Sequence, residues 1–194
     1  MQTVLFTTPA PQIAHMPCCV IASDRNAAKE ITALHYSVHP TPFGDALIAS
    51  TESGICALHF TDTGENLLKA LAQQYPKAVL KAASLPEHTP AADWISGNLP
   101  LKTVPLHLSG SPFQLQVWQA LLEIPAGETC TYGQLAARLG LSAGAARAVG
   151  GAVGQNPIAV LIPCHRVVGS TGKLTGFRWG LQRKQQLLLA EMNS

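Results

Sequence analysis

The sequence predicts a chain in two parts: an α/β half with a small antiparallel sheet, then a mainly helical half. Short runs of alternating apolar and polar residues, separated by turn residues, fill residues 32–60. A Gly-Ser-Pro boundary follows at residues 110–112, and beyond it the apolar residues recur at helical spacing. The 194 residues are 47% hydrophobic and only 12% charged, which excludes a disordered chain and allows a substantial core.

Each strand and helix of the first half is predicted from a short run of residues. "TALHYSV", "DALIAS" and "ICALHF", joined by the turns "PTPFG" and "TESG", predict three strands of an antiparallel meander. "ENLLKALAQQY" has leucines at helical spacing and is followed by Pro76, "AADWISGN" predicts a short helix, and "TVPLHL" predicts another strand. We therefore predict an N-terminal α/β domain at residues 31–109. Residues 1–30, which prolines interrupt, show no persistent period and are an extension of unclear structure.

The second half, residues 110–194, begins with a helix. Ser111 is a good N-cap and Pro112 suits the first helical position. The helix should end near Pro125. Its apolar side carries Phe113, Val117, Trp118 and Leu121.

Next, "TYGQLAARLGLSAGAARAVGGAVGQNP" places two Ala-rich helical stretches around "GLS", with the length and turn chemistry of a helix-turn-helix. A plain helical hairpin in a core fits this pattern equally well. The second stretch is almost all Ala, Gly and Val, and Arg147 is its only long polar side chain. Such a thin helix suits close approach to a narrow groove better than base reading in the major groove, although a surface arginine in a salt bridge is the alternative. The inward side of the first stretch would carry Leu135, Ala136 and Leu139.

Charge and cysteine content narrow the class of protein. Residues 1–109 hold 6 Lys+Arg and 8 Asp+Glu (6 − 8 = −2), whereas residues 110–194 hold 7 and 3 (7 − 3 = +4). The second half is thus the candidate for a polyanionic partner, but so small an excess does not by itself establish DNA binding. Three features predict a cytoplasmic protein without a membrane partner: five cysteines without a CxxC pair, no Lys or Arg in the first 20 residues, and no long apolar run.

The stretch "IPCHRVVG" places Cys164 beside His165, and three interpretations compete. A zinc site needs three or four converging ligands, and no other Cys or His shows ligand spacing around Cys164. A cysteine hydrolase needs a base within reach of the thiol, but adjacent side chains on an extended strand point to opposite faces. From composition alone, a buried inert cysteine is favoured.

The longer segment "NPIAVLIPCHRVVGSTGKLTGFRWGLQRKQQLL" resolves this choice. Together with the upstream "TYGQLAARLG" and "AARAVGGAV", it resembles the active-site signature of the O6-alkylguanine-DNA alkyltransferase family. The resemblance is strong over residues 111–191 and weak over 32–60. It implies a ribonuclease-H-like N-terminal domain and a winged-helix-like helix-turn-helix in the C-terminal domain.

The resemblance also implies a chemistry. Cys164 would accept an alkyl group, chiefly methyl, from O6-alkylguanine in double-stranded DNA, irreversibly, once per molecule and without a cofactor. His165 would act on the thiol through a water, with the Glu191 carboxylate behind it, and Asn156 would tie the turn before the active-site strand. The acting species would be a monomer.

The substrate and DNA contacts follow from the same resemblance. Arg147 would fill the gap left by a base flipped out through the minor groove, and Tyr132 would crowd the 3′ phosphate and hydrogen-bond the base. The Arg178 backbone N–H would donate to the guanine oxygen, and the Cys164 and Val167 carbonyls would accept from the exocyclic amine. The remaining implied contacts are Val153, Phe177 and Trp179 in the pocket, and Ala146 and Gly150 on the DNA side.

Two other kinds of protein were considered, and no bound metal is expected. A lesion-binding relative without repair activity would lack the cysteine, which is present here at Cys164. A transcription factor would need base-reading side chains that "AGAARAVGGAVG" does not supply. Some members of the family hold zinc in the first domain, but positions 32, 51 and 56 read Thr, Thr and Cys, so we expect no metal.

Overall fold

The N-terminal half of the chain is built on a six-stranded sheet. The computed structural model describes residues 18–23, 29–61, 65–97 and 103–192. The strands lie in the order β1-β6-β4-β3-β2-β5. They are β1 (Cys18–Ser23), β2 (Ala33–His39), β3 (Asp45–Thr51), β4 (Gly54–Thr61), β5 (Val79–Ala82) and β6 (Val104–Ser109).

The sheet is mixed, whereas the sequence predicted an antiparallel one. The predicted meander is present, with β3 antiparallel to both β2 and β4. The pairings of β1 with β6, β4 with β6 and β2 with β5 are parallel. The chain reaches β5 through helix α1 (Glu65–Gln74) and β6 through helix α2 (His88–Ile95), and such crossovers are what bring strands in parallel.

Strand β1 lies inside residues 1–30, the segment for which the sequence predicted no element. It pairs with β6 from Cys18 opposite Val104 to Ser23 opposite Ser109. Residues 1–17 and 24–28 of that segment lie outside the described residues.

The second half is mainly helical, as predicted. Its helices are α3 (Pro112–Leu122), α4 (Tyr132–Arg138), α5 (Ala146–Gly154) and α6 (Leu181–Met192). A short parallel pair, β7 (Cys130–Thr131) with β8 (Val167–Val168), accompanies them. The predicted cap is confirmed: the Ser111 hydroxyl accepts from the Gln114 N–H at 3.3 Å, and the Gln114 side chain accepts from the Ser111 N–H at 2.9 Å.

Helices α4 and α5 occupy the two stretches predicted as a helix-turn-helix. Thr131 and Gln134 form a second capping box at the start of α4, and a 3-10 turn (Ala143–Ala145) leads into α5. Leu135 and Ala136 are fully buried, as the apolar spacing predicted.

A single large apolar core connects the two halves. In β3, Ala46 and Ile48 face this core, while Leu47 and Ala49 face a smaller cluster on the other side of the sheet. The large core continues from the sheet into the helical half and includes Cys164. The active-site segment is therefore packed directly against the N-terminal sheet. No helix in the described ranges is long and apolar enough to cross a membrane.

Candidate active site

Asn156 closes the turn that carries the chain from α5 to Cys164. Its side chain is buried, and Nδ2 donates to the Ile162 carbonyl at 2.9 Å and to the Ile158 carbonyl at 3.1 Å. Oδ1 accepts from the Ile158 N–H at 2.9 Å. Nδ2 also lies 3.1 Å from Cys164 Sγ, so one amide fixes both the turn and the sulfur.

Within this turn, Val160 has φ 63°, a left-handed conformation that is costly for a β-branched residue. The N-terminal half holds the preceding residues in place. The Leu58 N–H donates to the Pro157 carbonyl at 3.0 Å, and the Ala159 N–H donates to the Leu58 carbonyl at 2.9 Å. Strained backbone persists where its surroundings over-determine it, and here strand β4 supplies part of that constraint.

Cys164–Arg166 form a 3-10 turn, not the extended strand assumed from the sequence. The His165 imidazole points to the C-terminal helix. Its Nε2 lies 2.8 Å from Glu191 Oε1, and its Nδ1 is buried without a hydrogen-bond partner among the described residues. Since Nε2 faces a carboxylate, it carries the proton and Nδ1 keeps a free lone pair.

Glu191 is held by more groups than the sequence indicated. Arg166 donates from Nε to both carboxylate oxygens at 3.1 Å and from Nη2 to Oε1 at 2.7 Å. The Gly127 N–H donates to Oε2 at 3.2 Å. Burial alone would raise the pKa of Glu191, but the hydrogen bonds from His165 and Arg166 and the charge of Arg166 outweigh it and lower the pKa to about 2. Burial is the main cause that lowers the pKa of His165, so its imidazole is neutral at pH 7.

Arg166 was missed as a functional residue although it lies inside the quoted "PCHRV" motif. Only its burial and its pairing with Glu191 reveal a role, and neither can be read from sequence spacing. Lys184 was missed for the same reason, since lysine on a helix is normally exposed. It is fully buried, and its Nζ donates to the carbonyls of Val167 at 2.6 Å, Thr175 at 2.7 Å and Gly176 at 3.3 Å.

The Cys164 thiol is neutral in this resting arrangement. Burial raises its pKa to about 11, and the Asn156 hydrogen bond and the charge of Lys184 counter only part of that effect. Burial also lowers the pKa of Lys184 to about 8. The thiol therefore needs a base at the moment of reaction.

Cys164 lies in the wall of a cavity of about 370 Å³. Of the predicted pocket residues, Val167 does not line this cavity. It is fully buried, pairs with Cys130 between β8 and β7, and gives its carbonyl to Lys184. The cavity is lined by Tyr132, Gly150, Val153, Gly154, Cys164, Gly176, Phe177, Arg178 and Trp179.

Of the four predicted DNA-contacting residues, Tyr132 begins α4, and the other three lie on α5. Arg147 is exposed and Ala146 is half-buried, whereas Val149, Ala152 and Val153 turn into the core. Gly150 belongs to both regions, because it lies on α5 and also lines the cavity. Helix α5 thus connects the surface that bears Arg147 to the cavity that contains Cys164.

No group of three or more His, Cys, Asp or Glu side chains within the described ranges converges in a way that could hold a metal ion.

Comparison with known proteins agrees with this architecture. Residues 112–193 match the family model described as "6-O-methylguanine DNA methyltransferase, DNA binding domain". Residues 34–97 match the model described as "6-O-methylguanine DNA methyltransferase, ribonuclease-like domain". The predicted fold class, a ribonuclease-like α/β half followed by a DNA-binding half, is confirmed.

Two curated relatives extend beyond the matched region. The "Bifunctional transcriptional activator/DNA repair enzyme Ada" of Escherichia coli is 42% identical over 166 residues, which cover 84% of this chain and 46% of the relative. The "Methylated-DNA--protein-cysteine methyltransferase" of Salmonella typhimurium is 54% identical over 101 residues, covering 52% and 58%. The chain therefore spans about half the length of these curated relatives.

Solved structures match over a larger share of their length. The O6-methylguanine methyltransferase of Mycobacterium tuberculosis has a TM-score of 0.68 and 37% identity, covering 82% of this chain and 93% of that one. A structure of OGT from the same organism in complex with DNA has the same TM-score and identity, covering 81% and 92%. The two family models together match most of the chain, and the fold covers 93% of the M. tuberculosis methyltransferase at 37% identity. This chain therefore belongs to the 6-O-methylguanine DNA methyltransferase family.

Proposed function

We propose that this protein repairs DNA by direct reversal, transferring the alkyl group of O6-alkylguanine, chiefly O6-methylguanine, to Cys164. The observation that carries the proposal is the position of the Cys164 thiol in the wall of a cavity, with the His165–Glu191 pair beside it. The transfer is irreversible, so each molecule acts once. It requires no cofactor.

The reaction is a single displacement at the alkyl carbon. A C–S bond forms between Cys164 Sγ and that carbon while the bond from the carbon to guanine O6 breaks, and the bonding pair leaves with the oxygen. The thiol proton passes to His165 and is returned to the guanine, which leaves neutral. The product is a thioether that water does not hydrolyse, which is why no second turnover follows.

His165 is the base that this step needs. Its buried Nδ1 keeps a free lone pair, and a bridging water would carry the thiol proton to it. Glu191 then stabilises the imidazolium that forms, as a buried carboxylate does in other triads. Asn156 and the charge of Lys184, which both lower the pKa of Cys164, stabilise the thiolate until it attacks.

The base must leave the duplex to reach the thiol. Extrusion costs a few kcal/mol, and the exposed Arg147 on α5 would offset part of it by occupying the gap in the stack. Ala146 and Gly150 allow α5 to approach the minor groove closely, and Tyr132 meets the base at the cavity wall. The Arg178 N–H would donate to guanine O6 as charge develops there. The DNA complex of the M. tuberculosis relative supports DNA as the partner.

The alternative is a protein of the same fold that binds alkylated DNA without repairing it. The Cys164 thiol in the cavity wall and the hydrogen-bonded His165–Glu191 pair next to it in the chain favour transfer over binding alone. We further propose that the protein acts as a monomer in the cytoplasm, where its thiols stay reduced, and that its two domains meet at residues 109 and 110.

The test is intact-mass measurement after incubation with duplex DNA that contains O6-methylguanine. We expect one added methyl group per chain, located on Cys164 by peptide mapping. Cys164→Ser should bind the DNA but gain no mass, whereas Cys130→Ser, which removes another buried free thiol, should react like the unmodified protein. Repeated turnovers, or a methyl group found on Cys130, would show that the proposed chemistry is wrong.

A further inference from the structure

We propose that the N-terminal domain sets the size of the alkyl group that the cavity accepts, with His59 and Arg183 as positioning residues that hold Trp179. This inference rests on the proposed function, because it concerns the selectivity of the same site. The segment that closes the cavity, residues 176–180, is called the lid below.

The lid narrows the cavity with two aromatic rings. Phe177 and Trp179 both line it, with ring centres 5.2 Å apart and planes at 67°. Trp179 is only 8% exposed, so its ring is part of the packed interior. The space beside Cys164 therefore depends on where the Trp179 ring is held.

His59 of strand β4 contacts that ring from the N-terminal domain. The two ring centres are 5.6 Å apart, with the planes at 57°, and His59 is 4% exposed. Its Nδ1 is buried with no hydrogen-bond partner in the described part of the chain, a cost that an apolar side chain would not carry. The contribution of His59 here is therefore the packing of its flat ring against Trp179.

Arg183 holds the backbone of the same residue. Its Nη1 donates to the Trp179 carbonyl at 2.6 Å and its Nε donates to the Phe43 carbonyl at 2.6 Å. The guanidinium also lies 4.9 Å from the centre of the Phe60 ring, on the same strand as His59. The lid is therefore fixed to the N-terminal domain through both the side chain and the main chain of Trp179.

Strand β4 also reaches the opposite side of the site. Leu58, next to His59, makes the backbone hydrogen bonds to Pro157 and Ala159 that support the turn before Cys164. One strand thus supports both the turn before Cys164 and the Trp179 ring, and both residues line the cavity. Removing the His59 ring should free Trp179 to move away from Cys164 without disturbing the Leu58 backbone contacts.

The test compares alkyl groups of different size on the full chain. We would measure rates of Cys164 alkylation by duplexes containing O6-methylguanine or O6-benzylguanine, and take the benzyl-to-methyl ratio. His59→Ala should raise this ratio about tenfold, the scale on which pockets discriminate small apolar changes. His59→Phe, which keeps a ring, should leave the ratio near that of the unmodified protein.

His88→Ala is the matched control. His88 is a buried histidine of the same domain, but it bonds to Ser37 at 2.7 Å and Ser50 at 2.9 Å, away from the lid. Its loss should lower stability and leave the ratio unchanged. If His59→Ala does not fold, Arg183→Gln removes the second contact and should raise the ratio in the same way. Equal rate changes for both substrates in these variants would overturn the proposal.

Two further measurements distinguish an effect on the lid from general destabilisation. They also test the lid inference independently of the proposed function. In a Trp179→Gly background, His59→Ala should have no further effect on the ratio, because the coupled partner is gone. Iodoacetamide and N-benzyliodoacetamide then probe access to Cys164 without DNA, and His59→Ala should favour the benzyl reagent. A protein that takes no methyl from DNA would refute the proposed function, while an unchanged reagent preference would refute the lid inference alone.

Discussion

Replacing Glu191 by Gln tests how much the buried ionic network beside the active site contributes to folding. Glutamine preserves the shape of the side chain but removes the charge that compensates Arg166, which is itself almost fully buried. Leaving one charge of a buried pair without its partner costs about 3–5 kcal/mol. The lowered pKa of Glu191 gives an independent figure: from 4.5 to about 2, at about 1.4 kcal/mol per pKa unit, it corresponds to about 3 kcal/mol.

The sign of the pH dependence follows from the direction of this change. Because the pKa of Glu191 is lower in the folded state than its ordinary 4.5, its contribution is fully present above about pH 4.5. It is lost as the pH falls from there towards 2. The difference in the free energy of unfolding between the unmodified protein and Glu191→Gln should therefore be about 3 kcal/mol at pH 7 and shrink below pH 4.5.

Urea denaturation of both proteins at several pH values between 7 and 3 measures this difference. Glu128→Gln is the control, since Glu128 is exposed and its replacement should change the free energy of unfolding by less than about 0.5 kcal/mol. A loss at pH 7 as small as that of the control, or a loss that stays constant down to pH 3, would refute the reasoning. Transfer to Cys164 should also slow in Glu191→Gln at pH 7, because the imidazolium of His165 loses its counter-charge.

Two predictions concern DNA. Arg147→Ala should slow reaction with O6-methylguanine in a duplex by about tenfold or more, because unstacking costs a few kcal/mol, yet leave the reaction with free O6-benzylguanine unchanged; equal slowing on both substrates would place Arg147 in the chemistry or the structure instead. Binding to undamaged duplexes should show a slope of log K against log salt shallower than about −5, since α5 presents one long cation and each neutralised phosphate contributes about −0.9. Titrations at several salt concentrations measure that slope, and a value near −10, or strong preference for one undamaged sequence, would favour a regulatory protein.

The elements that the sequence predicted well are marked by apolar alternation or capping residues within their own segments. Strand β3 alternates between two buried faces, and α3 begins with a complete capping box. Strand β1 was missed because prolines break up its surroundings and its partner β6 lies far along the chain. Strand β5 was missed because it is short and largely exposed, so no apolar alternation marks it.

The residues of the candidate site also fall into those that the sequence predicted and those that it missed. Cys164, His165 and Glu191 were predicted from a resemblance, whereas composition alone favoured an inert cysteine. Arg166 and Lys184 could not be predicted, because a buried charge is defined by the carbonyls and carboxylates that the fold brings to it. The 3-10 turn at Cys164 likewise follows a segment held by the Asn156 side chain, which bonds to the carbonyls of Ile158 and Ile162 ahead of it.

The burial of the thiol also bears on how long an unreacted molecule lasts. With its pKa raised to about 11 by burial, the Cys164 thiol is almost entirely neutral at pH 7, and the residue is 4% exposed. Peroxides and diffusing electrophiles react fastest with exposed thiolates, so they react with Cys164 only slowly. Under the proposed single-turnover transfer, such slow side reactions would leave most chains to be consumed by lesions in DNA and few by small oxidants.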